Sequence, residues 1–157
     1  MTSMLKLFDR LMVKLNRKRL VYDRVDGELY LTRYYVFLKE RSKFPFNIFL
    51  HRFHKSDDIV LHDHPWGYAT LILKGGYREW IPEFDSSGKK IGEVAKWRAP
   101  GHFRICKATS YHRIELDPNV TCWTLFMPGI QKRDWGFLVD NKWIQNETYL
   151  KSKYPKV

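Results

Sequence analysis

Met4, Phe8, Leu11, Met12 and Leu15 recur at helical spacing, with lysines and arginines between them. The pattern predicts a basic amphipathic helix over roughly residues 3–16. Its expected place is across the open edge of a sheet, with contact to an anionic membrane or polyanion as the alternative. From residue 20 the period changes to that of strands. Segments rich in Tyr, Val, Ile, Phe, Trp and Thr fall at 20–25, 29–38, 46–54, 67–74, 77–84, 91–97, 102–107, 112–116 and 121–127. Turn signals separate them, among them Asp26-Gly27, Gly75-Gly76, Pro100-Gly101 and Asp117-Pro118-Asn119. Many short strands with regular turns predict an all-β sandwich or barrel. A short helix is expected near residues 144–152. No repeat, linker or low-complexity stretch interrupts the chain, so it divides into a basic helix (1–19), one barrel (20–143), and a helix with a basic tail (144–157).

Composition changes this picture little. A chain of 157 residues, 44% hydrophobic and 16% aromatic, has the material for one sizeable core. No run approaches the ~20 apolar residues of a membrane span, and the N-terminus lacks the apolar core of a secretory signal. Cys106 and Cys122 make no metal-ribbon spacing and could form at most one disulfide. A reduced, cytoplasmic protein is the expectation.

The net charge of +11 suggests nucleic acid until it is located. Lys6, Arg10, Lys14, Arg17, Lys18 and Arg19 face only Asp9 in the first 20 residues, and Lys151, Lys153 and Lys156 crowd the tail. The middle of the chain is close to balanced. Basicity therefore belongs to the ends, where weak polyanion contact is expected, and no helix-turn-helix, RNP-like sequence or zinc finger accompanies it.

The chemistry concentrates in "HDHPWGYATLILKGGY", residues 62–77. In a His-x-His pair on a strand both side chains take the same face, so His62 and His64 can reach one ion. A third donor must come from another strand, and His51, His54, His102 and His112 are the candidates. His51 and His54 are three apart, face opposite ways and suit packing or surface roles; His102 follows Gly101 at a strand start and suits the rim.

At this point the chain resembles the cupin family, the RmlC-like jelly rolls also called double-stranded β-helices. Their first motif, G-x5-H-x-H-x3,4-E-x6-G, is met by His62, His64 and Gly75. Their second, G-x5-P-x-G-x2-H-x3-N, is met by Gly101 and His112, which the resemblance selects as third ligand. The resemblance spans roughly residues 45–130. The chain departs from it at Ser56, Lys107, Thr109 and Leu116, and above all at Tyr68, which fills the slot of the metal-binding glutamate.

What remains is similar to the three-histidine cupins, the subgroup of cysteine dioxygenase-like and diketone-cleaving enzymes. The resemblance implies one divalent transition metal ion on His62, His64 and His112, with Fe(II) expected first and Zn, Ni or Mn as alternatives. Tyr68 is the candidate catalytic group, since its hydroxyl can orient substrate. If Tyr68 points inward, so do Thr70 and Ile72; from His112, Ile114 and Leu116 do the same. Arg78 and Arg104 are the candidate substrate-binding residues, because a guanidinium matches a carboxylate bidentately. Residues 123–127 alternate as a strand, and Arg133 to Phe137 reads as an ordered loop with a wedged indole.

The expected function is a non-haem metalloenzyme of the three-histidine oxygenase type, acting on a small polar substrate. The alternatives are a cupin isomerase, epimerase or lyase of sugar-type substrates, and a non-catalytic ligand- or polyanion-binding module; a homodimer is a further expectation.

Overall fold

The computed structural model describes residues 3–23, 26–39 and 44–154. It opens with helix α1 (Ser3–Lys14), followed by strands β1 (Lys18–Tyr22), β2 (Leu29–Tyr35), β3 (Phe49–Phe53) and β4 (Tyr68–Lys74). Next come β5 (Tyr77–Phe84), β6 (Lys90–Arg98), β7 (Phe103–Cys106), β8 (Arg113–Glu115) and β9 (Cys122–Pro128). A hairpin of β10 (Gly136–Val139) and β11 (Lys142–Gln145) leads into helix α2 (Asn146–Lys153).

Helix α1 ends as its sequence dictates. Asn16 takes a left-handed conformation (φ 52°). Its N–H bonds Val13 O at 2.9 Å, and that of Arg17 bonds Met12 O at 2.7 Å. These are the paired bonds that close a helix on a left-handed residue. The face turned to the sheet is narrower than the periodicity suggests. Phe8 packs on the Tyr34 ring (5.2 Å) and Met12 is buried, while Met4, Leu11 and Leu15 are exposed. Polar contacts decide this orientation: Asp9 accepts from Tyr34 Oη and from Lys18 Nζ, both at 2.7 Å. Part of the N-terminal basicity is likewise structural, since Arg17 donates to Tyr35 O at 2.8 Å.

The strands form a six-stranded sheet, order β1-β2-β3-β9-β4-β7, and a three-stranded sheet, order β6-β5-β8. Burial alternates along them as a period of two requires: Phe49, His51 and Phe53 on β3; Tyr68, Thr70 and Ile72 on β4. Leu31, Phe53, Ile72 and Cys122 from the large sheet meet Tyr77 and Ile114 from the small one, with Leu116 completing the core. A fully buried aliphatic or aromatic side chain of this kind is worth roughly 1.5–3 kcal/mol over its exposed state. The chain crosses between sheets at Gly75 and Gly76 (φ 83° and 135°), where a Cβ on Gly75 would meet Thr121 O at 2.5 Å. Both cysteines are buried and free.

Arg133 to Trp135 form the expected loop, and from Gly136 the chain turns into a hairpin. Phe137 to Val139 pair with Lys142 to Ile144 around Asp140 and Asn141, both left-handed (φ 47° and 63°). A two-residue turn with both residues at positive φ matches the twist of a hairpin, and Asp and Asn tolerate it. Lys156 of the basic tail lies outside the described residues. Among those described, no helix is long and apolar enough to cross a membrane.

Candidate metal centre

His62 and His112 come together through the backbone before their side chains are considered. Each donates its N–H to the other's carbonyl at 2.9 Å, an antiparallel bridge linking two segments 50 residues apart. His64 follows on the same face. The three imidazoles form a nearly equilateral triangle, with ring centroids 5.2, 5.0 and 5.1 Å apart. Their nearest nitrogens all lie within 4.8 Å of one another.

Asp63, between the two histidines, faces the other way and is fully buried. It accepts from Gly136 N at 2.7 Å, from Trp143 Nε1 at 3.1 Å, and from the Arg133 guanidinium. The tripeptide His62-Asp63-His64 thus presents two imidazoles inward and one lock outward, which clamps the β10–β11 hairpin onto the barrel. Trp135 and Phe137 stand against His62, both at 6.2 Å.

The residue that sequence reasoning missed is Glu79. It has no exposed surface, and its carboxylate accepts from His112 Nδ1 at 2.9 Å. Arg98 reaches it through Nε (2.9 Å) and Nη2 (2.8 Å), and Arg104 pairs with it as well. The contact fixes the His112 tautomer, with the proton on Nδ1 and the Nε2 lone pair free for an ion. Its signal was the alternation Tyr77-Glu79 after the glycine pair, which puts an acid on the inner face of β5.

Whether an ion fits follows from the nitrogens. His64 Nε2 and His112 Nε2 lie 2.9 Å apart. Two nitrogens bound to one ion at about 2.0–2.1 Å, with 90–109° between them, are roughly 2.8–3.4 Å apart. The His112 lone pair also needs a positive neighbour there, either an N–H of His64 or a cation. Burial makes extra protons costly: it pushes His62 and His112 down to about 4 and holds His64 well below the usual imidazole value. Three neutral imidazoles suit a divalent transition metal, and the donor set fits one.

This burial has a consequence for pH. His62 and His112 stay neutral in the folded chain to about pH 4, whereas unfolded they take up a proton near 6.5. Between those values the unfolded state binds more protons, so stability falls as the pH falls. The urea midpoint of metal-free protein should be level above about pH 6.5 and drop steadily toward pH 4. A level midpoint down to pH 4.5 would contradict the buried neutral triad.

Tyr68 occupies the slot expected for the glutamate and turns inward. Its hydroxyl is 3.3 Å from His112 Nε2 and its ring 4.7 Å from that of His64. Burial raises its pKa well above the usual phenol value, so it remains a donor. Thr70, Ile72, Ile114 and Leu116 are buried as parity predicted.

The two arginines chosen from sequence stand apart from the imidazoles. Arg78 is on the outer face of β5, paired with Asp117 and lying 3.9 Å from Glu115. Arg104 is held by Glu79, which leaves it a support of His112. Of the remaining histidines, His54 bonds Thr32 Oγ1 at 2.9 Å and His102 lies 3.3 Å from Arg98 Nη1. His51 lines the interior.

The triad opens on a cavity of about 310 Å³, walled by Leu31, Phe53, Tyr77, Phe126 and Trp135 among others. A second depression of about 490 Å³ meets it at Tyr30, Asp57, His62 and Trp135.

Comparison with family models and with curated proteins finds no match in either. Solved structures do resemble the chain. A cupin-2 domain protein, Rru_A2000 from Rhodospirillum rubrum, superposes with a TM-score of 0.55 at 12% identity over 87% of this chain and 81% of that one. The polyketide cyclase RemF from Streptomyces resistomycificus gives 0.53 at 18% identity, over 89% and 90%. Fe(II)-HppE with the alternative substrate (S)-1-HPP gives 0.52 at 9% identity, over 72% and 56%. At these identities the likeness is one of fold, and the fold is the cupin barrel.

Proposed function

We propose that this cupin is a metal-dependent enzyme of the three-histidine oxygenase type, acting on a small polar substrate. One observation carries the reading: His62, His64 and His112 converge as neutral donors on an aromatic cavity, with Tyr68 where a fourth, carboxylate ligand would stand. Fe(II) is the ion proposed. Held by neutral ligands, it would keep its full charge and supply Lewis acidity and redox chemistry toward substrate and O2.

The chain's own residues have separate tasks. Glu79 orients His112 and is itself held by Arg98 and Arg104. Phe126, Trp135 and the other aromatic walls exclude water. Tyr68 keeps a hydroxyl proton beside His112, aimed at whatever oxygen substrate presents there.

Fe(II)-loaded protein, screened against small thiols, diketones and hydroxy acids, should consume O2 with at least one of them. Equal turnover without oxygen would remove the oxygenase reading in favour of an isomerase, epimerase or lyase. Tyr68→Phe should keep the metal and slow turnover. Loss of one hydrogen bond of about 1–3 kcal/mol in the transition state corresponds to roughly 5- to 160-fold. Unchanged turnover in this variant would leave Tyr68 a filler of space.

A further inference from the structure

Across the inner face of the large sheet, Arg19, Arg33, His51, Thr124 and Ile72 are successive register partners. Arg33 and His51 line the same cavity as the three metal-site histidines. Arg33 sits over the Phe49 ring at 4.8 Å. Its Nε donates to His51 Nε2 at 2.9 Å.

Two details of this pair stand out. Among the described residues, Arg33 has no carboxylate within ion-pairing reach, while Arg98 and Arg104 share Glu79, Arg113 has Glu93 and Arg133 has Asp63. Directly opposite it lies Arg19, a like charge, which destabilises a sheet unless an anion lies near. The second detail is His51. Because its Nε2 accepts from Arg33, a neutral ring carries its proton on Nδ1. That Nδ1 is buried with no partner, on a side chain only 3% exposed and stacked on Phe126 at 5.1 Å. A buried donor without an acceptor carries a desolvation cost, which a ligand oxygen would remove. Burial also weakens the proton affinity of Arg33, as does the Arg19 charge, while the Tyr35 hydroxyl beside it acts the other way.

We infer that Arg33 and His51 form the anchor for a carboxylate ligand in the cavity they share with the three histidines. The guanidinium supplies a charged fork and His51 Nδ1–H a neutral donor. Among the described residues lining the cavity Arg33 is the one arginine or lysine, and one such cation matches one negative charge, which favours a carboxylate monoanion over a phosphate dianion. The space holds roughly ten waters' worth of volume, so the ligand is a small acid whose other end reaches the histidines. The inference rests on the proposed metal reading only for that second contact; the anchor itself needs no ion.

The test uses chelator-treated, metal-free protein at neutral pH, titrated by calorimetry with acetate, succinate and benzoate and with the corresponding neutral amides. At least one acid should bind ten times more tightly than its amide. Arg33→Gln should abolish that preference, and Arg33→Lys, which keeps charge without the fork, should retain part of it. Zinc stoichiometry, measured separately, should be unchanged in both variants. If no acid is preferred by wild type, or if the preference survives in Arg33→Gln, the anchor is overturned. If Arg33→Gln fails to fold, full retention of the preference in Arg33→Lys overturns the fork. Protein that prefers acids but holds no zinc removes the metal reading and leaves the anchor standing; protein that holds zinc without preferring acids does the reverse.

Discussion

His112→Ala is expected to abolish stoichiometric metal binding. The substitution removes one of three ligands, and His112 is the one closest to another, with its Nε2 2.9 Å from that of His64. Loss of an outer partner of a ligand costs 10- to 100-fold in metal affinity, and loss of the ligand itself must cost more. It also strips Glu79 of its imidazole partner, although Arg98 and Arg104 remain to neutralise that carboxylate. The fold should therefore survive the change, with near-native circular dichroism. Equilibrium dialysis followed by elemental analysis measures the effect. A variant that still holds one equivalent of metal would end the three-histidine assignment.

Glu79→Gln should act in the opposite order, on stability first and metal second. Its carboxylate has no solvent exposure and is surrounded by Arg98, Arg104 and the His112 ring. Removing the acid from a buried ion cluster leaves the bases without compensation, at a cost of about 3–5 kcal/mol. The amide keeps the shape but can present either oxygen or nitrogen to His112 Nδ1, so the tautomer is no longer imposed. Denaturant unfolding should show the loss with an unchanged m-value, and metal affinity should fall about 10- to 100-fold. Stability within 1 kcal/mol of wild type would mean that the arginines find other partners or water.

Much of this arrangement was legible in the chain itself, because strands convert alternation into facing. His62 and His64 share a face for that reason, and the cupin resemblance, carried in part by Gly101, selected His112 as the third histidine of the triad. The parity that turned Tyr68 inward also turned Thr70 and Ile72 inward. What escaped depends on which strands become neighbours. Glu79 belongs to a strand of one sheet and reaches His112 only because β5 pairs with β8. Arg33 and His51 meet because β2 lies beside β3, and neither belongs to a recognisable motif. Arg78 and Arg104 were chosen for their type alone, without the carboxylates that hold them. The helix face was misjudged for a related reason: Asp9, a polar residue, is what anchors α1 inward. The β10–β11 hairpin did carry a local signal, the Asp140-Asn141 dipeptide, but the pattern read at Arg133 to Phe137 stopped short of it.

Asp63 would give the C-terminal hairpin a share in the fate of any ion bound by the triad. Its two neighbours in sequence are the proposed ligands His62 and His64, and its own carboxylate is tied to Gly136, Trp143 and Arg133. A backbone pulled taut at one end cannot relax at the other, so the two form a single cooperative unit for local opening. By reciprocity, whatever an ion adds to the order of His62 and His64 is felt as slower amide exchange at Phe137 and Leu138, and whatever frays the hairpin loosens the ion by the same factor. The last strands of the chain thus behave as a gauge of occupancy, read at a distance from the ligands themselves.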